Sequence, residues 1–131
     1  MKKIMIVDDD LFARELLIDY LNELFELLDA PGKIMPEIIQ AEDASYAWSL
    51  LIQDKIVPSL MIIDFQMPGM NGDKFIDKIR KELKLDSELV LHSDYYLAGK
   101  EAEKLNCRFI PKIGGQKEIF DLALGLGLFA L

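Results

Sequence analysis

MIIDFQMPGMNG, residues 61–72, sets a run of apolar residues against an aspartate and then against proline, glycine and asparagine. Apolar residues at consecutive positions, without polar alternation, suit a strand covered on both faces, as in a parallel sheet. Pro68, Gly69 and Gly72 permit the turn and helix start that follow. The reading predicts a strand over Ser59–Ile63 and a helix over Gly72–Lys84, with Asp64 at the strand's carboxyl end.

The same pattern recurs on either side. Short apolar runs stand at Lys3–Val7, Glu37–Ala41, Glu88–Leu91 and Arg108–Pro111. Helical spacing is expected over Leu11–Leu28, Ala44–Asp54, Tyr95–Leu105 and Gln116–Phe129. Strands alternating with helices read as βα units, hence an α/β fold around a parallel sheet. No repeat or interdomain linker interrupts them, so one domain over 1–131 is expected.

Composition narrows the function classes. Hydrophobic residues make up 51% and charged ones 29%, an ordinary globular balance. The net charge of -8 argues against direct nucleic-acid binding, which needs a basic face. A lone cysteine, Cys107, forms no internal disulfide and reads as a small filler in a reducing, cytoplasmic setting. The apolar run after Met1-Lys2-Lys3 stops at Asp8, too short for an export signal. IFDLALGLGLFAL, residues 119–131, is too short to cross a bilayer. Its Leu128, Phe129 and Leu131 read as a dimer face, the start of a linker or a fraying end.

Helix one carries a wide apolar arc. Ala13, Leu16, Leu17, Tyr20, Leu21, Leu24, Leu27 and Leu28 share a face, widened by Leu11, Ile18 and Phe25. Either the loop at 29–36 covers the excess or the strip docks a partner.

In a parallel α/β sheet the carboxyl ends of the strands share one edge, where ligands bind. Strand one delivers Asp8 and Asp9 there, strand three Asp64, strand four His92, Ser93 and Asp94, and strand five Lys112. Clustered carboxylates repel unless a cation sits among them, and a hard cation such as Mg²⁺ (or Mn²⁺) prefers oxygen ligands. Asp64 would attack phosphorus to give an aspartyl phosphate, while Lys112 and the metal offset charge on the transferring oxygens.

These residues carry a resemblance. The acid pair after strand one, the D-x-x-M-P-G-M-x-G block and the lysine after strand five occur in the order and spacing of a known family. The chain resembles the receiver domain of bacterial two-component response regulators, in its stand-alone, chemotaxis-type form. The resemblance implies a flavodoxin-like, doubly wound (βα)5 fold with strand order 2-1-3-4-5. It implies Asp64 as phosphoacceptor, and Asp8, Asp9, Asp64 and the main-chain carbonyl of Gln66 as metal ligands. Ser93 matches the switch hydroxyl, Lys112 the phosphate-binding lysine and Phe109 the switch aromatic. Asp10 is then left to cap helix one. Tyr95 takes a position that overhangs the phosphoryl group.

The resemblance also implies partners. A histidine kinase or histidine phosphotransfer protein supplies the phosphoryl group, and an output protein reads the surface of helix four, strand five and helix five. A homodimer through that surface stays open. The implied role is a signalling phosphoacceptor and not an enzyme, beyond self-phosphorylation and slow self-dephosphorylation. The alternative is a phosphorylation-independent interaction domain, suggested by Ile113, which stands where the family has proline after its lysine. Either the Lys112–Ile113 bond is trans with an altered loop, or it is a strained cis exception. A phosphohydrolase ranks last, because Gln66 occupies the place of its second acid. Two further departures are a short segment from Ser93 to Lys112 and a long connection from helix one to strand two.

Overall fold

Apolar strands that must be covered on both faces need helices above and below, and the computed structural model, which describes residues 2–130, has that architecture. The strands are β1 (Lys3–Val7), β2 (Glu37–Ala41), β3 (Leu60–Ile63), β4 (Glu88–His92) and β5 (Arg108–Ile110). The helices are α1 (Leu11–Leu27), α2 (Ala44–Ile52), α3 (Gly72–Glu82), α4 (Ala98–Lys104) and α5 (Gln116–Gly125). All strand pairs are parallel, in the order β2-β1-β3-β4-β5. This is the flavodoxin-like order expected from the sequence.

Alternation along each strand divides the core in two. Met5, Val7, Met61, Ile63, Leu89 and Leu91 meet α2, α3 and α4. Ile4, Ile6, Leu60, Ile62, Val90 and Ile110 meet Leu17 and Leu21 of α1 and Ile119, Phe120 and Ala123 of α5. The order reverses direction at β1, and β1 and β3 therefore open a crevice at their carboxyl ends. The ladder carries the acids into it: Asp8 N–H donates to the Ala41 carbonyl (3.0 Å) and Asp64 N–H to that of Val7 (2.8 Å).

Asp10 is the N-cap of α1, its side chain accepting from Phe12 N–H at 3.0 Å. Asp10→Ala is expected to cost about 1 kcal/mol in urea unfolding, the worth of one capping bond.

The chain's second half departs from the sequence expectation. α4 starts at Ala98 and not at Tyr95, because Ser93 Oγ accepts the Tyr95 amide (3.0 Å) and holds those residues in a turn. α5 stops at Gly125; Gly127 takes a φ of 74°, and Leu128 and Phe129 fold back into the core against Phe120. These two residues are therefore neither a dimer face nor a frayed end; Leu131 lies outside the described residues. The arc of α1 is split. At its carboxyl end Phe25 and Leu28 pack beneath the 28–36 connection, where Lys33 Nζ donates to the Phe25 carbonyl (2.7 Å) and lies over the Phe25 ring. Leu11 and Leu16 at its amino end face solvent, as does Leu27 at the other end; Phe12, outside the arc, is exposed too. No helix among the described residues is long and apolar enough to cross a membrane.

Candidate metal and phosphoryl site

Three carboxylates and one ammonium meet at the crevice. Asp8 and Asp64 are buried, Asp9 is exposed, and one oxygen from each lies within 4.8 Å of the others. Lys112 reaches across from β5: its Nζ is 2.7 Å from Asp8 Oδ2 and 3.3 Å from Asp64 Oδ1. Asp64 Oδ1 also accepts from Phe65 N–H (2.9 Å), and Asp8 Oδ1 from Asp10 N–H (2.9 Å). A small cavity of about 60 Å³ runs beneath the cluster, lined by Asp8, Asp64, His92, Lys112, Leu16 and Gln116.

The charges are poised unevenly. Burial, with the Asp8 charge adding to it, pushes the Asp64 carboxyl up to about 6, against the opposing pull of Lys112. Burial alone would lower the Lys112 ammonium, but its hydrogen bond to Asp8 and the two carboxylate charges outweigh that and hold it above the ordinary lysine value. One lysine faces three acids, so the site keeps an excess of negative charge. A set of oxygen donors with surplus negative charge fits a hard divalent cation.

The β3–α3 connection shapes one wall. Gly69 has a φ of 83°, and Gly72 N–H returns to the Phe65 carbonyl at 2.7 Å. Gly72 lies so close to Asp64 that a Cβ there would come within 2.0 Å of the Asp64 carbonyl oxygen. Gln66 is exposed on this connection.

Ser93 is buried, and its oxygen already accepts from the Tyr95 amide. Tyr95 stacks on Phe65, the neighbour of Asp64, at 5.3 Å between ring centroids. Phe109 is half-buried, its ring placed so that a Cβ on Gly99 of α4 would touch it at 3.7 Å. Every peptide bond among the described residues is trans, Lys112–Ile113 included, which settles the choice left open for Ile113. Lys112 nonetheless reaches both acids.

Two groups stand out that sequence reasoning left without a role. His92 is buried, and burial lowers its imidazole pKa; its Nδ1 lies 2.9 Å from the Ile110 carbonyl. A carbonyl only accepts, so Nδ1 carries the proton. Asp94 Oδ1 accepts from Ile113 N–H at 2.9 Å. Neither bond has a local signal, because one joins β4 to β5 and the other joins the loops that follow them. Cys107 is half-buried, with burial pushing its thiol up, as an inert filler requires.

With this geometry in place, comparison with known proteins is specific. The family model "Response regulator receiver domain" matches residues 4–95. A chemotaxis protein CheY homolog of Campylobacter jejuni is 30% identical over 84 residues, covering 64% of this chain and 57% of that protein. The match thus spans little more than half the length of that curated relative. A putative two-component response regulator of Arabidopsis thaliana, ARR21, is 31% identical over 112 residues, 83% of this chain and 16% of that protein. Among solved structures, the response regulator protein TrrA of Thermotoga maritima, in complex with Mg²⁺-BeF, superposes with a TM-score of 0.74. It is 28% identical, with 96% of this chain and 99% of that chain covered. Five parallel strands in the order 2-1-3-4-5, the acids at the β1 and β3 ends and the matched stretch agree: the chain belongs to the response regulator receiver domain family.

Proposed function

We propose that this chain is an active phosphoacceptor, with Asp64 taking a phosphoryl group from the phosphohistidine of a kinase or phosphotransfer protein. The observation that carries the reading is Lys112 Nζ within ion-pair distance of both Asp8 and Asp64, despite the isoleucine that follows it. A phosphorylation-independent domain has no need of that contact. The loop altered by Ile113 still leaves the lysine in reach of Asp64.

Asp8, Asp9, Asp64 and the main-chain carbonyl of Gln66 would hold Mg²⁺ (or Mn²⁺), which when bound offsets charge on the transferring oxygens. The chain's own residues do the rest. Asp64 is predominantly ionised at neutral pH, since its pKa reaches only about 6. One of its oxygens attacks phosphorus, the P–N bond of the donor breaks, and the imidazole leaves with the electron pair and takes up a proton. Lys112 pairs with the phosphoryl oxygens as they approach, and the Ser93 hydroxyl, whose oxygen already accepts from Tyr95 N–H, donates its own hydrogen to one of them. That pull on Ser93 and Lys112 acts on the ends of β4 and β5, next to α4, Phe109 and α5, the surface offered to an output partner.

The test is intact mass after treatment with acetyl phosphate, with and without Mg²⁺. One added phosphoryl group that requires the metal supports the reading; no adduct in the presence of Mg²⁺ rejects it. Tyr95, stacked on Phe65, shields the acyl phosphate from water. Tyr95→Ala is accordingly expected to shorten the phosphoprotein's lifetime, followed by mass spectrometry after the donor is removed.

A further inference from the structure

β5 is three residues long, and within the segment after it the backbone bond from Gly115 N–H to the Lys112 carbonyl is a long one, at 3.4 Å. Pro111 has no N–H, Ile113 is 81% exposed, and Gly114 takes a φ of 74°. Yet Lys112, inside this segment, must keep its Nζ on Asp8 and Asp64. Two hydrogen bonds bracket it. His92 Nδ1–H holds the Ile110 carbonyl on one side, at 2.9 Å, and Asp94 Oδ1 holds the Ile113 amide on the other, also at 2.9 Å. Both come from the residues that flank Ser93.

We propose that Asp94 is a positioning residue for Lys112: by fixing the Ile113 amide it sets the lysine's reach and ties the lysine segment to the Ser93 segment. The proposal rests on the phosphoacceptor reading for its effect on phosphoryl transfer. It depends on Ile113 carrying an N–H; a proline at that position has none to offer. The opposite bracket is buried and acts on strand backbone, whereas the Asp94 bond crosses two loops at the surface. Asp94 is thus the side that substitution can release without emptying the core.

Release has two consequences of opposite sign. Lys112 pairs with Asp8, one of the acids that would hold the metal, so a lysine that drifts away leaves Asp8 freer for Mg²⁺. The same drift removes positive charge from the transferring oxygens. A residue with a merely structural role moves neither in this way.

The experiment compares Asp94→Ala, Asp94→Asn, Ile113→Pro and the Asp94→Ala/Ile113→Pro double variant. Phosphorylation by acetyl phosphate is followed at saturating Mg²⁺, and Mg²⁺ affinity is measured by calorimetry on the unphosphorylated protein. Asp94→Ala is expected to slow phosphorylation about tenfold, a modest misplacement of a charged group. It is expected to tighten Mg²⁺ binding about threefold, the worth of one partly exposed ion pair. Asp94→Asn keeps an Oδ1 acceptor and is expected to stay close to wild type in both. Ile113→Pro removes the donor, so adding Asp94→Ala to it is expected to change nothing further. Wild-type rate and Mg²⁺ affinity in Asp94→Ala overturn the proposal, as does an Asp94→Asn protein as slow as Asp94→Ala. If wild-type protein takes no phosphoryl group, the phosphoacceptor reading fails by itself. Mg²⁺ affinity then decides the clamp: tighter in Asp94→Ala supports it, unchanged overturns it.

Discussion

The Asp64→Asn protein is expected to gain no phosphoryl mass from acetyl phosphate and Mg²⁺, and to be more stable than wild type in metal-free buffer at pH 8. The first half follows from chemistry: an amide oxygen is a poor nucleophile and cannot yield the acyl phosphate that a carboxylate yields. The second half follows from burial. The Asp64 carboxyl is pushed from 3.8 to about 6 by desolvation and by Asp8, with Lys112 only partly compensating. A raised carboxyl pKa means that the folded state holds its proton longer than the unfolded chain does. The resulting cost is absent below pH 3.8, grows between 3.8 and 6, and is complete above 6. Two pKa units correspond to about 3 kcal/mol at the upper end, a ceiling that relaxation of the site reduces. Urea unfolding in EDTA at pH 8 should therefore favour Asp64→Asn by about 1–3 kcal/mol, with the gain disappearing by about pH 4. Equal stability of the two proteins at pH 8 would mean that Asp64 carries no such strain.

Gly72→Ala is expected to lose about 3 kcal/mol or more of stability, as overpacking against immovable atoms does. Helix propensity pulls the other way, because alanine in place of helical glycine gains about 1 kcal/mol. The contact distances decide between them. The added Cβ would sit 2.0 Å from the Asp64 carbonyl oxygen, 2.9 Å from its carbonyl carbon and 3.1 Å from Ile63 Cγ2. Two of the three are backbone, which has no rotamer to change, and that backbone belongs to Asp64, the proposed acceptor. Gly72→Ala should accordingly slow phosphorylation as well as lower the urea midpoint. Gly125→Ala is the matched control: nothing lies within 4 Å of its Cβ, so thermal unfolding should show a neutral or slightly favourable change.

Asp94 and Gly72 illustrate different kinds of legibility. Gly72 was readable as the glycine that lets a helix start after the 65–71 connection, because glycine advertises a local conformational need. How close it comes to Asp64 was not, since that distance depends on α3 packing on β3. Asp94 was legible only as one of the residues strand four delivers to the ligand edge, with no partner indicated. An exposed aspartate after a strand is ordinary, and only the juxtaposition of the β4 and β5 ends gives it the Ile113 amide as a partner. Ile113 itself looked like damage to the lysine loop, yet the loop reaches the acids through a trans bond with that amide employed.

The apolar run and its period are local properties, so the strands, the helices, their alternation and the acid-bearing strand ends were all determined by sequence. The parallel sheet follows from them, because strands with two apolar faces demand helices on both sides. The ends of α4 and α5 were decided elsewhere: Ser93 holds the turn before α4, and the core takes in Leu128 and Phe129 after α5. Only tertiary structure could decide how far Lys112 reaches and how strongly Asp64 holds its proton. Both depend on charges and burial contributed by residues distant in the chain, and those terms have no counterpart in any local window of sequence.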